Sequence, residues 1–343
     1  MRNFIPGQIQ NLLTDVFKAA GSPTDIAGYV SASLVDASLK GVDSHGVKRV
    51  SLYVEQIGRG WIKPDARPVI EKETATTATV QGNHGFGIHA LGFAGDVAIQ
   101  KARTHQVAAV GLVGTTHTGR LGQFVELATE QGVLMNIYGG GAGHRGGGQV
   151  APHGGSKRIV STNPYAIGMP GGQFGTVVVD IATSVTAEGN LQAYRSRGEP
   201  LPPGWIIDNA GRPSTNVEDF YNGGALLPAG RHKGYALALA AEWFCGSLLG
   251  VPHELNWFIQ AVDISAFRAL DEFTTASESF LERLKAVPPA LGFDEVLFPG
   301  ELESRAARHR AIEGIPIPDE IWSAMADTAR KVGVDPDSYV NID

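Results

Sequence analysis

Gly141-Ala142-Gly143-His144-Arg145-Gly146 follows the apolar run 133–138 and has the spacing of a dinucleotide-binding fingerprint. That fingerprint works only when a helix starts directly after the glycines, because the helix N-terminus holds the pyrophosphate. Here Gly147, Gly148, Pro152, Gly154 and Gly155 follow, and they cannot continue as a helix. The next acidic residue is Asp180, too far along to take the ribose hydroxyl. The segment therefore argues against a Rossmann fold. Residues 139–155 read either as a glycine loop that lets a ligand approach the backbone or as a mobile surface loop.

The elements around this segment alternate. Pro6 opens a helix whose inward residues are Ile9, Leu12, Leu13, Val16 and Phe17, and Gly21 stops it. Ser22 with Asp25 starts a second helix that runs to Lys40, capped by Gly41. A third begins at Asp43 or Ser44, carries Val50, Tyr53, Val54 and Ile57 inward, and ends at Gly58 and Gly60. After Pro68 come a strand at 76–81, a helix with Leu91, Ala94, Ala98 and Ala102 on one side, and a strand at 107–113. A helix at 121–130 and strands at 133–138 and 176–181 continue an α/β alternation of the kind that builds parallel sheets. From Lys233 a helix of small and apolar residues reads as buried; a strand at 257–264 and a helix at 318–332 close the chain.

Composition excludes several functions. A net charge of −7 without a Lys/Arg run argues against nucleic acid as a partner. Cys245 is the single cysteine, so neither an intramolecular disulfide nor a multi-cysteine zinc site is possible. No secretory start and no membrane-spanning run are visible, so a cytoplasmic protein without membrane contact is expected. Ten histidines raise the idea of a metal-assisted hydrolase or lyase, but none forms a tight ligand pair on one helix, and no metal site is expected.

Candidate chemistry concentrates at Asp43-Ser44-His45-Gly46, followed by Arg49 and Tyr53. His45 at an exposed first helical turn, with Arg49 one turn on, places a proton donor beside a fork that holds carboxylates. That suits a small 2-oxo or 2-imino acid. His117, in the loop after the 107–113 strand, is a second candidate, with helix capping as its structural alternative. Asp180 ends a strand expected to be buried and needs a partner, possible if a histidine lies near. Lys233 is placed to meet a phosphate or ribose, or is an ordinary solvated lysine. Ser44 and His45 are sequence neighbours, which usually point apart, and no Gly-x-Ser-x-Gly elbow exists, so a serine hydrolase is poorly supported.

These residues resemble the malate/L-lactate dehydrogenase family that is unrelated to the Rossmann-fold enzymes of the same names. The matching segments are Asp43-Ser44-His45-Gly46-Val47-x-Arg49, Thr116-His117-x-Gly119, Ala151-Pro152-x-Gly154-Gly155 and Thr162-Asn163-Pro164. Asp180-Ile181-Ala182-Thr183-Ser184, Leu201-Pro202-x-Gly204-Trp205, Lys233-Gly234-Tyr235 and Phe298-Pro299-Gly300-Glu301 complete the set, in the family's order. The resemblance implies an α/β (α+β) fold with a non-Rossmann, mostly antiparallel cofactor domain and a helical subdomain built from both ends of the chain. The expected division is 1–70, 71–304 and 305–343. It also implies a homodimer and an NAD(P)-dependent oxidoreductase, working between nicotinamide and C2 of a small 2-hydroxy or 2-oxo acid. An NADPH-dependent reductase of a cyclic 2-imino acid is the alternative within the family.

By the same resemblance His45 is the acid/base, with His117 competing for that role, and Asp180 orients and charges a histidine. Ser44, Arg49 and Tyr53 match positions near the substrate. Val178, Val179, Asp180, Ile181, Ala182, Thr183, Ser184, Lys233, Gly300 and Glu301 match positions that line NAD or NADP. The chain departs from the family pattern at 136–149, a longer and more glycine-rich passage than usual. In the family this passage approaches nicotinamide and substrate, so its expansion bears on substrate identity. A non-catalytic relative that binds metabolites is the remaining rival; intact His45, Arg49 and Asp180 argue against it.

Overall fold

A computed structural model describes residues 2–339. The N-terminal strand β1 (Arg2–Phe4) leads into α1 (Pro6–Ala19), α2 (Thr24–Leu39) and α3 (Arg49–Gly58). Helix α1 buries Ile9, Leu12, Leu13, Val16 and Phe17, the stripe its spacing predicts. Each such side chain contributes roughly 1.5–3 kcal/mol when fully buried. Two helix starts differ from expectation. Pro23, not Ser22, precedes α2, and no side chain caps it. Residues Asp43–His45 form a separate 3-10 turn, so Asp43 and Ser44 do not cap α3, which begins only at Arg49. Gly46 forces this break: it is extended, and a Cβ there would lie 2.1 Å from Ser38 Oγ.

The central sheet joins β2 (Val69–Glu73), β3 (Thr77–Gln81), β4 (Val107–Val113), β5 (Val133–Gly140), β6 (Tyr165–Pro170) and β7 (Thr176–Ile181), with α4 (Gly87–His105) and α5 (Gly122–Thr129) between them. Past β7 the chain forms α6 (Glu188–Arg197), β8 (Ile206–Ile207), β9 (Pro213–Ser214), α7 (Val217–Tyr221), β10 (Ala225–Leu226) and α8 (His232–Glu242). Then β11 (Asn256–Asp263) returns to the main sheet, and α9 (Leu270–Lys285), α10 (Glu301–Glu313), β12 (Ile315–Ile317) and α11 (Asp319–Lys331) follow. The strand order is β2-β3-β4-β11-β5-β6-β7. Among the described residues β3 and β4 form the parallel pair, and every other neighbouring pair in this sheet is antiparallel. The mostly antiparallel sheet is thus present, and the parallel sheet suggested by α/β alternation is not. The reason is β11, which enters between β4 and β5 and runs against both. Strands β8, β9 and β10 form a small separate sheet, and β1 pairs with β12, so the first and last segments meet.

Helix α8 is not buried as its composition suggests. Gly234, Ala238 and Ala241 face inward, but Leu237 and, just beyond the helix, Trp243 and Leu248 are exposed. Among the described residues no helix is long and apolar enough to cross a membrane.

Two devices fix the loop between β4 and α5, residues 114–121. Arg120 is buried and reaches Asp36 on α2 at 3.1 Å and Glu126 on α5 at 2.7 Å, with Lys40 also on Glu126. Gly87, the first residue of α4, lies against the same loop: its N–H donates to Thr116 Oγ1 at 3.1 Å, and a Cβ there would sit 2.0 Å from Thr116 O. His117 O would lie at 2.5 Å as well, and these two carbonyl oxygens are backbone atoms, which cannot turn aside. Gly87→Ala should therefore destabilise the protein by about 1–3 kcal/mol, the usual overpacking cost. A urea midpoint unchanged from wild type would show that the loop moves freely.

Candidate active site

The 3-10 turn sets the first histidine. Arg310 of α10 grips Asp43 at 2.7 Å and holds the turn from outside. The turn brings neighbours together that an extended chain would separate: Ser44 Oγ and His45 Nδ1 are 2.8 Å apart. The expectation that they point apart fails because the backbone coils tightly here. Arg49 folds back over the turn, its Nε donating to Ser44 O at 2.6 Å.

The second histidine comes from the loop after β4. The Tyr53 hydroxyl, fully buried on α3 against the Phe17 and Phe86 rings, meets His117 Nδ1 at 2.7 Å. The backbone N–H of Gly119 donates to the same nitrogen at 3.3 Å. Nδ1 is therefore an acceptor, and in the neutral ring the proton sits on Nε2. The two imidazoles stack with centroids 5.3 Å apart and planes inclined by 22°. Burial, then the nearby Arg49 and Lys48 charges, pull His45 down to about 4. Burial, Arg49 and His45 hold His117 well below the usual histidine range. Both rings are neutral at pH 7 in the unliganded protein.

A cavity of about 710 Å³ opens over this pair. Ligand pockets of roughly 300–1,000 Å³ are typical. Ser44, His45, Arg49 and His117 line it, as do Val178, Asp180, Ile181 and Ala182 at the end of β7. Tyr53 supports His117 from below and does not reach the wall. Several expected cofactor-lining residues lie elsewhere. Val179 faces away on β7; Thr183 Oγ1 donates to Thr162 O at 2.9 Å and Ser184 Oγ to Thr186 O at 2.7 Å. Lys233 is exposed at the start of α8; just ahead of it the Ala229 N–H donates to Thr183 O at 2.9 Å. Gly300 packs on the Val178 backbone behind the cavity, and Glu301 is taken up by Lys285 at 2.9 Å and by Arg305.

Asp180 does not orient a histidine. Its Oδ2 accepts the Gly122 N–H at 2.8 Å. Asp180 borders the cavity, and neighbouring protein atoms still desolvate its carboxyl. That crowding pushes its pKa up, with Gly122 and Arg120 opposing. The strand end points it at the N-terminus of α5, where a carboxylate is favoured, instead of at the imidazoles.

The glycine-rich segment is a wall of the cavity. Ala142, Arg145, Gly147, Gly148 and Gln149 border it. Gly148 is pinned: a Cβ there would lie 2.5 Å from both Ile159 O and Val160 O. The reading as a loop that lets a ligand approach the backbone matches this placement. Sequence reasoning missed Glu254 and Trp257, which also border the cavity. Their only signal was position, at the entry to a strand read as beginning at Trp257. It missed Arg120, Glu188 and Glu303 as well.

A sequence profile described as malate/L-lactate dehydrogenase matches residues 6–326. L-sulfolactate dehydrogenase of Methanothermobacter thermautotrophicus is 33% identical, over 96% of this chain and 97% of that protein. Hydroxycarboxylate dehydrogenase B of Escherichia coli K12 is 31% identical, over 95% and 93%. Among solved structures, malate dehydrogenase from Entamoeba histolytica superposes with a TM-score of 0.91 at 26% identity, covering 97% of this chain and 98% of that one. The Δ1-piperideine-2-carboxylate reductase of Pseudomonas syringae pvar. tomato gives 0.84 at 27% identity, covering 96% and 100%. The profile spans both histidine-bearing segments. The chain belongs to the malate/L-lactate dehydrogenase family.

Proposed function

We propose that this cleft moves a hydride between a nicotinamide cofactor, NAD or NADP, and C2 of a small 2-hydroxy acid or the corresponding 2-oxo acid. The observation that carries this reading is a pair of neutral, stacked imidazoles beside an arginine. Only the Nε of that arginine is engaged by the protein among the described residues.

The cavity fits the cofactor. Gly147 and Gly189 border it, where a Cβ would meet nothing closer than 3.8 Å, and the buried Trp257 Nε1 has no partner among the described residues. The start of α6 at Glu188 also opens onto it, with no side-chain cap on its free N–H groups. Asp180, Ile181 and Ala182 on one side and Gly147 and Gly148 on the other would hold the group. When bound, nicotinamide supplies or accepts the hydride.

The chain's own residues do the rest. Arg49 takes the substrate carboxylate on its free Nη atoms through parallel N–H bonds. Ser44 engages Nδ1 of His45, which leaves Nε2 for proton transfer. In reduction, C2 gains a hydride and the carbonyl oxygen gains a proton from His45, giving the alcohol. In oxidation, neutral His45 takes that proton back. His117 offers its Nε2–H to the same oxygen, because Tyr53 and Gly119 occupy its other nitrogen. A bound carboxylate also offsets the Arg49 charge that depresses both rings, so substrate raises the basicity of its own catalyst. The exposed Leu237, Trp243 and Leu248 support a second copy of the chain covering α8, as a homodimer.

Titration with NADH and with NADPH, followed by energy transfer from tryptophan, tests the reading directly. Saturable binding of one of them with turnover of 2-oxo acids is expected. In His45→Ala the binding should persist while kcat falls about 10²–10⁴-fold, the scale of general acid catalysis. Full turnover in that variant would remove His45 from its role. Arg49→Lys loses the planar fork and should raise KM far more than it lowers kcat; a KM unchanged for every carboxylate would count against the clamp. The pH dependence has a definite sign. A base already neutral above about pH 4 leaves oxidation kcat/KM flat between about pH 5 and 8, whereas reduction kcat/KM falls as pH rises over that range. A reduction profile that rises with pH contradicts His45 as the acid.

A further inference from the structure

Glu254 is a carboxylate in a place where the reaction does not call for one. It borders the same cavity as His45, Arg49 and His117, two residues before β11 begins. Its Oε2 is buried and has no hydrogen-bond partner, and among the described residues Glu254 makes no ion pair. Burial raises its pKa; hydrogen bonding from Trp61 and from the His117 backbone, and the charges of Arg49 and Arg145, pull it back. Three residues along, Trp257 also lines this cavity, and its buried indole N–H is likewise unpartnered among the described residues. Buried polar groups without partners carry a desolvation cost, and a ligand that completes them recovers it. An unpaired acceptor and an unpaired donor on two residues that line one cavity describe a definite complement. A hydroxyl group donates to one and accepts from the other; a carboxylate or sulfonate only accepts, and it meets Glu254 as a like charge.

We propose that Glu254 is a specificity-determining residue: it admits 2-hydroxy and 2-oxo acids whose second polar group is a hydroxyl, and rejects those that carry a second acid group. Arg49 holds the first carboxylate, and Glu254 reads what stands at the other end of the molecule. This separates the chain from the relatives named for malate and sulfolactate, both of which are doubly anionic substrates. Truncation to a smaller side chain would enlarge the cavity as well as remove the charge, so Glu254→Gln is the informative change: it keeps shape and removes the negative charge.

The proposal rests on the cleft being a hydroxy acid site, and the experiment separates the two. Binding of glycerate and of malate to the whole protein is measured by calorimetry with oxidised coenzyme present. In parallel, kcat/KM is measured for hydroxypyruvate, oxaloacetate and pyruvate. Wild type should bind glycerate at least about tenfold more tightly than malate. Glu254→Gln should bring the two within about threefold, chiefly by tightening malate, with the same shift in KM between hydroxypyruvate and oxaloacetate. Pyruvate, which has no second polar group, should change little, as a purely structural role would not allow. Glu254→Asp, which keeps the charge, should retain the discrimination, and Glu254→Ser replaces the glutamine variant if that one does not fold. Malate binding as tight as glycerate in wild type, or a ratio unmoved by loss of the charge, overturns the proposal. Discrimination in binding without reduction of any 2-oxo acid leaves Glu254 in its role and sinks the dehydrogenase reading instead.

Discussion

The site depends on one buried guanidinium. Arg120 ties α2 to α5 through Asp36 and Glu126, with Lys40 completing the cluster. Helix α2 leads directly into the turn that carries His45, and the loop ahead of Arg120 carries His117. The ion cluster is thus the clamp that holds two segments, far apart in sequence, at stacking distance. A buried pair contributes little net stability over an apolar replacement, yet removing one partner typically costs about 3–5 kcal/mol. Its worth here is in register: it fixes where two loops stop relative to each other. The same charge reaches His45, whose basicity it lowers along with Arg49 and Lys48. Burial dominates that lowering, and Arg120 adds the smallest of the three charges.

Much of this was legible in the sequence, and the reasons are particular. The stripe on α1 and the strand before Thr115 followed from periodicity, because burial on one face is a local pattern. His45, Arg49 and His117 were found as candidates from spacing and loop position. Their meeting was not, since nothing in either segment encodes a contact spanning about seventy residues of chain. Asp180 was located correctly at a strand end and assigned the wrong partner, because a backbone N–H at a helix start has no sequence signature. Helix α8 was read as buried from its composition; small and apolar residues describe a surface that another surface can cover, whether or not it lies inside one chain. Glu254 offers only its position, because an acidic residue before a strand is ordinary until the cavity around it is seen.

Two arrangements of glycine shape the cleft differently. Gly87 and Gly148 are places where backbone touches backbone, so they set positions. Gly147 and Gly189 leave space open. The glycine-rich passage after β5 does both, which is why its sequence looks like a phosphate-binding loop and its structure is a wall. On the proposed function, a helix start at β7's far side, with the loops of β4 and β5, would take over what a Rossmann fold assigns to one glycine turn. On the proposed function, the chemistry is organised around a cleft between sheet and helices, with one imidazole from the helical side and the other from the loop after β4.

Strand β11 sits at the middle of the sheet, between β4 and β5, although it is made more than a hundred residues after them. Strands β4 and β5 cannot pair with each other in the finished protein; each waits for the same late arrival. During synthesis the chain emerges for some 120 residues with both strand edges open, a long-range closure that is slow and exposed to mispairing. It follows that a chain still on the ribosome has no cleft: His45 and His117 exist, but the wall bearing Glu254 and Trp257 does not. The enzyme acquires its site and its sheet in one late event, and a truncated product would have neither.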